Sequence, residues 1–205
     1  MRRLPIVPTL IAALAVATML ALGVWQLRRA EWKEGLLADY ARAETLPALD
    51  LDPLLDREGP LPPLSFRRML VTCRSGDAVP ELRGGASIEG AGGYTYRLPC
   101  RPGADGLAGR LIVNAGWTPL PDEGRRISLD GIVAGRLGAV EEDGPIIVTA
   151  AVPARSLAAS RPPRIQDIPN NHRGYVATWF GLSIVAMVIY LIALRRRRRE
   201  LPPEP

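Results

Sequence analysis

The chain has 205 residues and a formal net charge of +5, which is enough length for one domain of ordinary size. Residues 28–173 carry 19 basic and 19 acidic side chains, so the positive excess lies in the terminal segments and no nucleic-acid partner is expected. With one histidine, His172, and one lysine, Lys33, the chain cannot build a two-histidine zinc site, and any Ser/His/Asp triad or Ser/Lys dyad would need these two residues. We therefore expect no enzyme.

The first apolar segment, residues 4–27, contains no charged side chain. Since roughly 20 helical residues cross a hydrocarbon core of about 30 Å, this segment predicts a transmembrane helix. Arg2 and Arg3 ahead of it, and the small-x-small sequence at 21–23, also fit a secretory signal peptide. The apolar run exceeds the roughly 7–15 residues of a signal core, and no polar segment precedes the cleavage position, which favours a retained anchor.

The second apolar segment, residues 174–194, also lacks charge and predicts a second transmembrane helix. Five consecutive arginines follow it directly and place the 195–205 tail in the cytoplasm by the positive-inside rule. Two spans then put the 1–3 tail on the same side and residues 28–173 in the periplasm. The absence of an Arg-rich, acid-poor presequence favours a bacterial inner membrane, with membrane lipid around both helices, over a mitochondrial one.

The residues between the two spans divide into a connector and a β-rich part. The helical pattern continues past the first span toward Arg42, and a Pro-rich connector occupies about 47–63. Glycines at 84–85 and 90–93 are interpreted as loops around a turn. Short apolar runs bounded by Gly, Pro and Asp predict strands at 65–73, 94–100, 110–117, 127–137 and 145–152. The sequence thus predicts an α+β membrane protein, in which a two-helix transmembrane hairpin carries an extracytoplasmic antiparallel β-rich domain built as a sheet or a small barrel.

The two cysteines, Cys73 and Cys100, each end a predicted strand. Adjacent strand ends in an oxidising compartment can bring two cysteines to a Cα separation of about 5.5 Å, which suits a disulfide. Two unpaired thiols are an equal alternative on the sequence alone. No Cys-x-x-Cys motif occurs, which removes the usual signatures of thiol exchange, copper delivery and c-type haem attachment.

The only histidine lies at the start of the second span. Asn170 or Asn171 can cap this helix and so place His172 in its first turn, on one face with Tyr175 and Trp179. Aromatic residues gather at membrane interfaces in many proteins, which accounts for this pattern without any ligand. A neutral imidazole is also the common axial ligand of haem iron, and the nearby arginines suit haem propionates. The residues permit a haem site without requiring one.

Small residues on both predicted spans favour close helix packing. The second span has a strip of Gly174, Thr178 and Gly181, and the first has Ala13, Ala17 and Ala21 at four-residue spacing. The sequence therefore predicts that the two spans pack as a hairpin.

Three motifs, in order along the chain, resemble those of the surfeit-locus-one family of cytochrome c oxidase assembly factors. Residues 23–33 are similar to its Gly-x-Trp-Gln-x-x-Arg-x-x-x-Lys motif, and residues 113–119 to its Val-Asn-Arg-Gly-Trp-Val-Pro motif. Residues 170–181 are similar to its closing Asn-x-His-x-x-Tyr-x-x-Thr-Trp-Phe-Gly motif. The resemblance thus runs from the first span to the second.

This resemblance implies a role in assembly of a haem-copper terminal oxidase, assisting insertion of haem a into the large subunit. The implied partners are that subunit and haem A synthase, and the implied cofactor is transiently bound haem a, with His172 contacting the iron. The candidate haem-binding residues are His172, Trp25, Gln26, Arg29, Tyr175 and Trp179. The other positions matched to the motifs are Gly23, Lys33, Asn114, Gly116, Trp117, Thr178 and Gly181.

Ala115 departs from the family pattern, which has Arg at this position, and Arg110 is a candidate substitute for that side chain. A competing hypothesis is a haem-free membrane scaffold, in which the small-residue strip and the neutral sheet bind oxidase subunits. Under that hypothesis the motifs are structural.

Overall fold

The computed structural model of the chain describes residues 5–57, 62–122 and 126–200, which form two units. A helical unit combines residues up to Leu36 with those from Pro169 onward, and a β domain comprises Leu37–Ile168. The predicted 1–3 tail, the start of the first span at Leu4, the connector residues 58–61 and the tail residues 201–205 lie outside the described residues.

The helical unit is built from two long helices. Helix α1 spans Ile6–Thr45 and continues into the β domain, and helix α4 spans His172–Glu200. Both are long and apolar enough to cross a membrane, with a mean hydropathy of 2.2 in their most apolar windows. Helix α1 ends two residues before Pro47, where the chain leaves helical geometry because the residue before a proline disfavours it. The two predicted spans are therefore confirmed as candidate membrane helices.

The β domain is a seven-stranded sheet in the order β1-β2-β6-β7-β5-β4-β3. The strands are β1 Leu49–Asp50, β2 Arg68–Arg74, β3 Glu81–Ala86, β4 Gly92–Pro99, β5 Leu111–Thr118, β6 Asp130–Leu137 and β7 Ile146–Ala150. Two single-turn helices, α2 Asp52–Leu55 and α3 Gly106–Gly109, and a 3-10 turn at Ile165–Asp167 complete the domain. The predicted α+β class is confirmed.

The sheet differs from the prediction in three details. The β1–β2 and β5–β7 pairs are parallel and the other four pairs are antiparallel, so the sheet is mixed. Strands β1 and β3 were absent from the predicted set. Gly84 and Gly85 lie within β3, and Gly92 and Gly93 lie within β4, so the predicted glycine loops are wrong at these four positions, and the turn occupies the residues between the strands. Strand pairing overrides the low strand propensity of glycine here.

The main core lies under β2, β5 and β7. Strand β2 alternates, with Met69, Val71 and Cys73 buried and the intervening residues partly or fully exposed. The segment predicted as a connector contributes to this core, because Leu51 and Leu55 are buried in the same cluster. A second, smaller cluster joins Tyr96, Leu98, Ala115 and Ile127.

The two cysteines form a disulfide between Cys73 on β2 and Cys100 just after β4. Both are fully buried, and their Cα atoms are 4.8 Å apart. The Arg74 amide donates to the Cys100 carbonyl at 2.8 Å, and the Arg101 guanidinium donates to the Asp52 carboxylate at 2.6 Å. Strands β2 and β4 are far apart in sheet order, so these contacts tie together two parts of the sheet that do not pair directly.

Candidate functional site

The histidine begins helix α4 and faces the first helix. His172 is the first residue of α4 and Asn171 directly precedes it, so the expected first-turn position is confirmed. The His172 Nδ1 atom lies 2.8 Å from the Gln26 Oε1 atom of α1. With the Gln26 carboxamide oxygen as the acceptor, Nδ1 donates, and the neutral imidazole in this tautomer has a free lone pair on Nε2. A fixed partner on one ring nitrogen with the other free is how proteins orient a metal-binding histidine.

The helices approach closely at Gly23, which is buried on α1. A Cβ atom at this position would lie 3.0 Å from the Cε1 and Cζ atoms of the Phe180 ring on α4. The hairpin is thus supported, but its seam is not the predicted strip. Gly174, Thr178 and Gly181 are exposed, and a Cβ added at either glycine would meet no atom within 4 Å.

Replacing Gly23 by leucine should destabilise the helical unit by about 1–3 kcal/mol, because the larger side chain must displace the Phe180 ring. Unfolding by SDS in detergent micelles, followed by tryptophan fluorescence, measures this. Three of the four tryptophans, Trp25, Trp32 and Trp179, lie in this unit. Gly181→Leu is the matched control and should unfold as the wild type does; equal destabilisation of both variants would contradict this packing.

Two basic side chains close in sequence to Gln26 and His172 already have partners. The Arg29 guanidinium lies 4.0 Å from the centre of the Trp32 ring, a cation–π contact. Arg173 forms a two-point ion pair with Glu34, through Nε at 2.6 Å and Nη2 at 2.8 Å. The hydrogen bond from Arg173 lowers the pKa of the Glu34 carboxyl, and the same bond raises the pKa of Arg173. This pair links α1 to α4 beyond the histidine.

The other predicted haem-binding residues are more open. Trp25 and Tyr175 are 57% and 53% exposed, and Trp179 is half-buried. The structure therefore brings His172 and Gln26 into direct contact. The aromatic side chains, which are close to these two residues in sequence, are partly or largely accessible to solvent. The sequence did not predict the contact of Glu34 with Arg173 or that of Phe180 with Gly23, because residues about 140 or more positions apart leave no periodic signal.

Two further motif positions on the helices lie apart from these contacts. Lys33 is half-buried and makes no hydrogen bond or ion pair within the described residues. The Thr178 hydroxyl donates to the Gly174 carbonyl of its own helix at 3.0 Å. Neither observation gives these residues a ligand.

The central motif forms a β-bulge in β5. The register with β4 shifts here, so that Gly116 pairs with Tyr96, Asn114 pairs with Arg97, and Ala115 is left over. Gly116 has φ of 148°, a conformation that L side chains rarely adopt. The Asn114 Oδ1 atom accepts from the Gly116 amide at 3.3 Å, which closes the bulge.

The segment around Ala158 runs antiparallel to the end of β5 and pairs with it next to the bulge. The Trp117 amide donates to the Ala158 carbonyl at 2.8 Å, and the Ala158 amide donates to the Trp117 carbonyl at 2.9 Å. Asn114 accepts a second hydrogen bond, from the Ser160 hydroxyl at 3.0 Å. Asn114, Gly116 and Trp117 thus hold the fold of the β domain.

Ala115 is fully buried in the smaller core cluster, which accounts for a small side chain at this position. The proposed substitute, Arg110, does not replace the family arginine. Its guanidinium donates to the backbone carbonyls of Glu141, Glu142 and Gly144 and is held at the opposite end of β5.

The fold and the helix site together define a class of protein: a mixed β domain joined to two helices that can span a membrane, with one oriented histidine at the start of the second. The chain belongs to the SURF1 family, whose family model matches residues 13–184. The resemblance found in the sequence motifs is confirmed.

A curated relative supports the same family. The chain is similar to the cytochrome oxidase assembly protein SHY1 of Saccharomyces cerevisiae, with 37% identity over 60 residues. The match covers 29% of this chain and 14% of the yeast protein, so only a small part of that relative is represented. No solved structure matches the chain.

Proposed function

We propose that this protein is an assembly factor for a haem-copper terminal oxidase. Membership of the SURF1 family and the similarity to a yeast cytochrome oxidase assembly protein support this role. The oxidase large subunit would be its partner, and haem A synthase a second one. A β domain with a small net charge and an open helix surface suit protein contacts better than catalysis.

We further propose that the protein assists insertion of haem a and that His172 contacts its iron. The observation that carries this proposal is the hydrogen bond between His172 Nδ1 and Gln26 Oε1. It suits the tautomer whose Nε2 can bind a metal, so the residues present fit the group. Gln26 is then a positioning residue, since it acts on the cargo only through the imidazole.

The surroundings of His172 suit reversible binding. Exposed Trp25 and Tyr175 offer apolar ring surface for a macrocycle, and Arg29 is exposed and cationic. Arg173 is engaged by Glu34, which leaves Arg29 as the better candidate for a propionate. An accessible surface releases a cargo more readily than a sealed cavity, as a carrier requires.

The visible absorption spectrum of the detergent-purified protein, co-produced with haem A synthesis, tests this proposal. We expect a haem a spectrum in the wild type and its loss in His172→Ala, because the variant removes the only imidazole. Asn171→Ala, one residue away, is the matched control and should retain the spectrum. Gln26→Ala should weaken haem retention and be partly rescued in Gln26→Asn, which keeps an amide acceptor.

A folded but colourless wild type would contradict haem binding and favour the haem-free scaffold. A His172→Ala variant with an unchanged haem a spectrum would instead contradict the contact between His172 and the iron. Capture of the oxidase large subunit by the same preparations separates the two proposals, since the assembly role survives only if that subunit still binds.

We infer a location in a bacterial inner membrane, with both termini cytoplasmic and residues 28–173 in the periplasm. The arginine run at the end of α4 supports the orientation. The disulfide between Cys73 and Cys100 supports an oxidising compartment for the β domain. The redox state of these two cysteines in intact cells tests the location.

A further inference from the structure

A cleft of about 300 Å³ lies on the β domain, between β3, β4, β5, β7 and the chain at 161–163. Its polar lining includes two arginines, Arg97 and Arg161, and no carboxylate side chain. We propose that this cleft binds a carboxylate group. The proposal concerns the β domain alone and does not depend on haem binding.

The sheet register builds the polar floor of the cleft. Arg97 on β4 pairs with Asn114 on β5, and Asn114 pairs with Thr149 on β7. Directly paired residues project from the same face of a sheet, so these three side chains form one row across three strands. Asn114 and Thr149 are more than nine-tenths buried, which fixes the position of their polar groups.

Asn114 is oriented by its own hydrogen bonds. Its Oδ1 atom accepts from the Gly116 amide and the Ser160 hydroxyl. Its Nδ2 amino group has no hydrogen-bond partner among residues 5–57, 62–122 and 126–200. The cleft therefore contains a fixed, neutral donor with its hydrogens unused.

Arg97 carries an uncompensated charge. Its guanidinium makes no hydrogen bond or ion pair in the described part of the chain, and its Nε atom is buried without an acceptor. Glu81 lies opposite Arg97 in the β3–β4 register, but its carboxylate is paired with Arg83. A partly buried guanidinium without a carboxylate is unusual, because buried charges in proteins are normally paired.

Arg161 adds a second cation from another segment. One Nη2 hydrogen bond of 3.1 Å joins it to Asp167, while its Nε atom is buried and has no acceptor in the structure as described. The Arg161 amide donates to the Ala86 carbonyl at 2.9 Å, which anchors this segment beside β3. The two guanidinium groups thus come from separately fixed parts of the domain.

The charge and the donor geometry favour a carboxylate. Asp167 offsets Arg161, so the cleft has one unbalanced positive charge, which one carboxylate neutralises; a phosphate dianion would leave a negative excess. The planar guanidinium fork matches the two oxygens of a carboxylate, and the Asn114 amino group can donate to the same group.

Nuclear magnetic resonance of the Arg Nε–H groups, on the full chain in detergent micelles at constant ionic strength, tests the proposal. The probes are acetate, N-acetylglutamate α-amide and inorganic phosphate. We expect each carboxylate to shift the Arg97 and Arg161 signals until saturation. Equal binding of both carboxylates indicates a small free carboxylate as the ligand, and tighter binding of the glutamate derivative indicates a carboxylate side chain of a polypeptide.

Two variants remove the site in different ways. Arg97→Gln removes the unpaired charge, and Arg161→Gln removes the second guanidinium while it keeps Arg97. Each should weaken carboxylate binding by about tenfold or more, the effect expected for loss of a charge-assisted hydrogen-bond pair. Arg155→Gln, at an exposed arginine outside the lining, is the matched control and should bind as the wild type does.

Three results would overturn the proposal. They are signals that change linearly without saturation in the wild type, unchanged affinity in Arg97→Gln, and tighter binding of phosphate than of either carboxylate. The wild-type titration decides the first and third even if a variant fails to fold.

Discussion

Replacing Cys73 and Cys100 together by alanine should lower the free energy of unfolding of the β domain by about 3–4 kcal/mol. The disulfide closes a chain segment with a sequence separation of 27 residues, and release of such a loop increases the entropy of the unfolded chain by this order. The loss is large because the bridge joins β2 to the end of β4, two elements that the sheet does not pair. Hydrogen–deuterium exchange of the slowest amides in β2 and β4 measures it.

Thiol trapping in intact cells is the companion measurement. If the β domain lies in the periplasm, a membrane-permeant maleimide should label neither cysteine until the denatured protein is reduced. Labelling of both cysteines before reduction would contradict the disulfide and the periplasmic location together. A reduced wild type with the exchange rates of the double variant would show that the bridge, and not the cysteine side chains, supplies the stability.

The fold was predictable where the pattern was strong. Strand β2 alternates at period two and β7 is a short apolar run, and both were predicted within a few residues. Strand β1 has two residues and β3 contains Gly84 and Gly85, so neither carries a local signal. These strands exist because their neighbours supply hydrogen bonds. The parallel β5–β7 pairing also depends on the topology, which no short pattern encodes.

The helix site was predictable only where a local sequence pattern encodes it. The position of His172 in the first turn of α4 follows from the asparagines before it and the apolar run after it. Its contact with Gln26 spans 146 positions in sequence and depends on how α1 and α4 pack. The seam at Gly23 and Phe180 depends on the same packing, and the small-residue strip that the sequence favoured faces away from it. The small residues showed that the two helices could pack closely, but they did not show which positions would be in contact.

The central motif shows how a structural requirement can resemble a site. Asn114, Gly116 and Trp117 were candidate functional positions because they match a family motif. In the structure Asn114 and Gly116 form a β-bulge, which the hydrogen bond from the Gly116 amide to the Asn114 side chain closes. Trp117, the next residue, pairs with Ala158. This bulge has one residue with positive φ, and only the backbone geometry shows that Gly116 is that residue.

Replacing Gly116 by alanine should destabilise the β domain by about 2–6 kcal/mol. The positive φ of 148° accounts for about 1–3 kcal/mol of strain in a residue with a side chain. Overpacking adds about 1–3 kcal/mol, because the new Cβ atom would lie 2.7 Å from the Leu157 Cβ and 3.0 Å from the Ala158 carbonyl oxygen. The same exchange measurement on β4 and β5 detects this loss.

Gly131→Ala is the matched control for the steric part of this effect. Gly131 also has positive φ, 123°, and sits in β6, but a Cβ there would meet no atom within 4 Å. Its alanine variant should therefore show the strain alone and lose less stability than Gly116→Ala. Leu157→Gly should restore only part of the Gly116→Ala loss, since the Ala158 oxygen remains. Equal losses of stability at the two glycines would mean that the segment at 157–158 can move away from a new Cβ atom without loss of stability. The contact at the bulge would then not be what holds this segment against β5.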